Sequence, residues 1–71
     1  MIDNKDDVQA GDIWADYPHL GHCGLVVRIF DDTVGNKKVK RITIKHCSSG
    51  QGGVFENDFD IYFKGHGKFY R

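Results

Sequence analysis

The stretch from His22 to Cys47 constrains this chain more than any other part of it. His22 to Phe30 is dense in Leu, Val and Ile, and Asp31-Asp32 ends the apolar run. Val34-Gly35-Asn36-Lys37 then supplies turn chemistry, because Gly and Asn tolerate positive φ. From Lys38 to Cys47, Ile42 and Ile44 alternate with Arg41, Thr43 and Lys45, the period of a half-buried strand. The two runs predict a long antiparallel hairpin. Val26 and Phe30 make both faces of its first strand apolar, so the alternation leaves the register open.

No segment carries a helical period. Asp12 to Tyr17, Val54-Phe55, Tyr62-Phe63 and Lys68 to Arg71 read as further short strands, and Asn57-Asp58 is placed to cap a helical turn before Phe59. Ser48 to Gly53 reads as a loop. Its glycines lack the Gly-Lys-Ser/Thr and the strand-loop-helix setting of a phosphate cradle. With 71 residues and nine aromatics, the chain can bury one thin core. The expected fold is mainly β: one domain over 1–71, a small twisted antiparallel sheet or half-barrel, with 1–8 as a flexible acidic segment.

Ten acidic residues offset ten basic ones, which removes any global attraction to nucleic acid or to an anionic membrane. Locally the signs separate. Residues 1–20 hold Asp3, Asp6, Asp7, Asp12 and Asp16 against Lys5, whereas 33–45 hold Lys37, Lys38, Lys40, Arg41 and Lys45 with no acid. This predicts two solvated faces of opposite sign, the acidic one suited to a basic partner surface. The lysine-rich tip has no interleaved aromatics, so no direct contact with nucleic acid is expected. Trp14 and Tyr17, between the acids, are core residues or a protein-binding anchor. The longest apolar run is broken by Arg28, so no bilayer-spanning segment is expected, and the N-terminus lacks the pattern of a signal peptide. The expected compartment is the cytoplasm, of a host cell if the partner reading below holds, with Cys23 and Cys47 reduced.

Gly11-Asp12-Ile13-Trp14, Gly21-His22-Cys23-Gly24-Leu25-Val26-Val27, Ile44-Lys45-His46-Cys47-Ser48 and Gly52-Gly53-Val54 together resemble the C-terminal half of NlpC/P60 and CHAP-type cysteine peptidases, of the papain-like superfamily. The ending Tyr62-Phe63…Gly67-Lys68-Phe69-Tyr70-Arg71 is similar to the closure of many members. The resemblance covers roughly residues 9–71. It implies that His22 stands where the family carries its catalytic histidine and His46 where it carries the orienting polar residue. The family's nucleophilic cysteine precedes the histidine by several dozen residues, on a helix. Here the 21 residues before His22 contain no cysteine, no serine and no helix pattern.

Cys23 and Cys47 each adjoin a histidine, and neighbouring strand residues point to opposite faces. A cross-strand Cys23–His46 pair depends on register. If His22 and His46 share a face, Cys23 lies with Leu25, Val27 and Ile29 in the core. His19, His22, Cys23, His46 and Cys47 invite a zinc site, but the spacing of a structural site is missing, and no metal or cofactor is expected.

The leading functional expectation is therefore a non-catalytic protein-binding inhibitor, with His22, His46 and Cys23 as relics. Small free-standing domains with an acidic end resemble phage accessory proteins. The sharpest form is an anti-CRISPR-type protein that sets Asp6, Asp7, Asp12, Trp14, Asp16 and Tyr17 against a basic nucleic-acid-binding surface of a host protein complex. The alternatives are a minimal cysteine hydrolase acting on peptide or amide bonds, using Cys23 or Cys47 with His22 or His46, and one half of a split or homodimeric enzyme.

Overall fold

A computed structural model describes residues 1–16, 22–47 and 52–71. The architecture is mainly β: five antiparallel strands in one open sheet. They are β1 (Ile13–Ala15), β2 (Cys23–Val34), β3 (Lys37–Cys47), β4 (Val54–Asp58) and β5 (Lys68–Tyr70), in the order β4-β3-β2-β1-β5. The first four strands form a meander, and β5 returns beside β1 at the opposite edge. None of the described helices is long and apolar enough to cross a membrane.

The hairpin forms where the alternation predicts it. Val34 pairs with Lys37 around Gly35 (φ 55°) and Asn36 (φ 69°), two consecutive left-handed residues whose twist matches that of the strands. Val27 is an extra residue between the pairs Val26↔Ile44 and Arg28↔Thr43. This bulge explains the two-faced apolar pattern. Val26 before it and Ile29 after it both meet the inward residues Ile44 and Ile42, while Leu25 and Phe30 turn outward.

One face of the sheet carries the core of Val8, Trp14, Val26, Ile42, Ile44, Phe59 and Phe69, with Ile2, Ile29 and Phe63 packed against it. It is covered by the N-terminal segment and the turn after β4. Tyr62-Phe63, expected as a strand, lies in that turn instead. Asp58 Oδ1 accepts from the backbone N–H groups of Asp60 and Ile61 at 2.8 Å, capping the turn and folding Phe59 and Phe63 back over the sheet.

Residues 1–8, expected to be flexible, are tied to the sheet. Ile2 bridges Phe69, Asn4 caps a 3₁₀ turn at Lys5–Asp7, and Val8 is buried. Lys40 Nζ donates to the carbonyls of Lys5, Asp6 and Val8 at 2.8–3.1 Å. The hairpin thus supplies an ammonium to the carbonyl-rich end of the turn, where the Lys5 carbonyl also accepts from the Val8 N–H at 3.2 Å.

Candidate functional site

His22 and His46 meet on the covered face. His22 immediately precedes β2, and its carbonyl accepts from Asp16 N–H at 2.9 Å. His46 points inward by alternation with Ile44 and Ile42 and is only 2% exposed. Opposite it stands Gly24, which leaves room for the rings. A Cβ at Gly24 would lie 2.5 Å from Ile44 Cγ2, 2.8 Å from the Lys45 carbonyl and 3.2 Å from His46 Cβ. His22 Nε2 then lies 2.8 Å from His46 Nδ1.

The relay has a third member. His46 Nε2 lies 2.8 Å from Asn57 Oδ1. Asn57, in β4, faces Ile44, which places its side chain diagonally beside His46. Asn57, expected at a helix cap, is a strand residue instead. The signal was present in the alternation of Val54–Asp58, where Phe55 and Asn57 fall on one face, but the pairing of β4 with β3 was needed to read it. Phe63, Tyr62 and Phe55 surround the His46 ring at centroid distances of 4.8, 5.5 and 6.3 Å, and Trp14 stands edge-on to His22 at 5.7 Å.

The acceptor Oδ1 of Asn57 fixes the tautomers. With both rings neutral, that acceptor assigns the His46 proton to Nε2, so His46 Nδ1 accepts from His22 Nε2–H, and His22 Nδ1 has no partner among the described residues. This is the arrangement of a general base with its orienter. It has no nucleophile among the described residues. The register sets Gly24 and His46 on the covered face, so Cys23 and Cys47 fall on the other, and both thiols are exposed. The Cys23–His46 and Cys47–His22 pairs are therefore excluded in this register. Cys23 does share a face with Leu25, as expected when the histidines meet, but that face is open and Leu25 is 44% exposed, so Cys23 is not core.

The residues expected to bind a partner divide. Asp6 and Asp7 are exposed on the 3₁₀ turn. A groove of about 510 Å³ runs beside them, with Asp3, Asn4 and Gln9 in its wall. Asp12 is turned away from any partner. It is 4% exposed, and Arg71 holds both carboxylate oxygens through Nε at 3.1 Å and Nη2 at 3.2 Å. Arg71 first, and then the Gln9 N–H, hold the Asp12 carboxyl below the usual carboxylate range. Trp14 is not a surface anchor either. It is 1% exposed, packs on Phe63 and donates Nε1–H to the His66 carbonyl at 2.9 Å. Both positions fall on the covered face by alternation, Asp12 just before β1 and Trp14 within it, while Ile13 between them faces out at 51% exposure. Asp16 is half-buried, and Tyr17 and His19 lie outside the described residues. Among the described residues no three His, Cys, Asp or Glu side chains converge on a metal position.

Comparison with known proteins gives no further guide: no family model, no curated protein and no solved structure matches this chain.

Proposed function

We propose that this domain is a non-catalytic protein-binding inhibitor of the anti-CRISPR type, which covers a basic nucleic-acid-binding surface of a host protein complex. The observation that carries the reading is the fixed acidic edge of Asp3, Asp6 and Asp7. Asp6 and Asp7 sit on a turn anchored by the Lys40 ammonium, and Asp3 follows the Ile2–Phe69 bridge. The backbone that carries these carboxylates is already held in place, so docking orders only their side chains and consumes less of the attraction to a lysine- or arginine-lined groove. The acidic surface of the proposal is therefore narrower than the sequence suggests, since Asp12 is committed to Arg71.

The test is titration into purified RNA-guided effector complexes, with target-DNA binding read by mobility shift. A susceptible complex loses DNA binding at one equivalent of inhibitor. The double variant Asp6→Lys/Asp7→Lys associates about tenfold more slowly and with a flatter salt dependence. Association that is unchanged by the charge reversal overturns the acidic-edge mechanism, and a panel with no complex affected overturns the anti-CRISPR reading.

A different observation favours a second reading. Among the described residues, the His22–His46–Asn57 relay leaves no buried side-chain polar atom unpaired, and only His22 Nδ1 of its ring nitrogens has no partner. That arrangement suits one half of a split or homodimeric cysteine hydrolase whose nucleophile comes from another chain. Light scattering at high concentration addresses the homodimer: a mass twice the 8.1 kDa of the chain supports it, and a strict monomer removes it.

A further inference from the structure

Cys23 opens β2 and Cys47 closes β3. The two strands are in register through Gly24↔His46, Leu25↔Lys45 and Val26↔Ile44, so one step further sets Cys23 opposite Cys47. Strand alternation puts both side chains on the open face, and both thiols are exposed. Residues directly opposite on antiparallel strands have Cα atoms about 4.5–5.5 Å apart. A disulfide spans about 4.4–6.8 Å between Cα atoms, so this pair is within bridging range without unpairing the strands. Neither thiol is engaged by the histidine relay, which lies on the other face.

We propose that Cys23 and Cys47 form a redox-active dithiol, which reacts with low-molecular-weight disulfides of the glutathione-disulfide class and closes to a cross-strand bridge. One thiol loses its proton and the thiolate attacks a sulfur of the small disulfide. A mixed disulfide forms as the external S–S bond breaks and one thiolate leaves. The second cysteine, deprotonated in turn, attacks the protein sulfur of that mixed disulfide. The Sγ–Sγ bond forms, and the second small thiolate leaves. The two protons end on the released thiols, so the protein loses two electrons and the reagent gains them. The second step is intramolecular between opposed residues, which keeps the mixed disulfide from accumulating. The bridge adjoins His22 and His46 in sequence and clamps the end of the hairpin where their rings meet. This inference is independent of the inhibitor reading, since it needs neither a partner nor the acidic edge.

The experiment incubates the reduced protein with glutathione disulfide under nitrogen, quenches with iodoacetamide, and reads intact mass and non-reduced peptides. The expected product carries no label, is lighter by two hydrogens, and yields one peptide pair joined through Cys23 and Cys47. Its Tm lies roughly 10 °C above that of the reduced protein, because the bridge constrains the unfolded chain. The single variants Cys23→Ser and Cys47→Ser, both at exposed positions, each stop at one stable glutathione adduct. Wild-type protein that accumulates such adducts without an internal bridge overturns the proposal, as does oxidation that yields only disulfide-linked dimers.

Discussion

The carboxylate of Asp12 accepts from Arg71 on both oxygens and from the Gln9 N–H, while Arg71 Nη2 also donates to the Asp7 carbonyl. A residue near the start of β1 thus fastens the last residue of the chain. Because the folded state holds the Asp12 carboxyl below its usual value, it favours the ionised form, and the linkage has a definite sign. The stabilisation is fully present above the unfolded value of about 3.9 and is lost as pH falls through the lower folded value. Asp12→Asn is therefore expected to be less stable than wild type near neutrality, with the gap closing as pH falls below about 4. Urea unfolding of both proteins across that range checks it; a gap that does not change with pH removes Asp12 as the titrating group. His46 shows the other residue-scale lesson. A histidine at 2% exposure is tolerated because Asn57 and His22 occupy both of its ring nitrogens.

At the scale of elements, the Val27 bulge decides which side chains reach the core. Unbroken alternation from Val26 would place Arg28 inward and Ile29 outward; the extra residue reverses that and sends Arg28 over the Phe30 ring at 4.6 Å on the open face. Deleting Val27 leaves Val26 inward, Arg28 outward and Ile29 inward, with the same partners on β3. This deletion is expected to cost about 1–2 kcal/mol, the ordinary range for a single change. Deleting Ile29 removes a side chain packed on the core and puts the rest of β2 out of phase, at a cost of about 3 kcal/mol or more. Denaturant unfolding of the two variants makes the comparison. Equal losses would mean that the bulge itself, rather than the phase it sets, is required.

Across the whole molecule, the opposite charges of the two sequence stretches do not form two separate solvated faces. Lys40 reaches the carbonyls of the N-terminal turn, Lys5 pairs with Asp60, and Arg41 is shared among Asp32, Asp58 and Asp60 at 3.3–3.9 Å. The basic hairpin folds against acidic and carbonyl-rich segments, which leaves Asp3, Asp6 and Asp7 as the acidic edge on which the inhibitor proposal rests. The features legible in the residues alone are local: strand over helix, the hairpin, the Gly35-Asn36 turn and the Asp58 cap each follow from side-chain alternation, φ preferences or a capping side chain within a few residues. The meeting of His22 with His46 and Asn57, the placing of Cys23 opposite Cys47 on the open side, and the inward turn of Asp12 and Trp14 came from packing between distant segments. Each of those outcomes depends on strand pairing or on which face is covered. A strand presents two faces with equal local geometry, and a shift of one residue exchanges them, so contacts between distant segments are needed to choose.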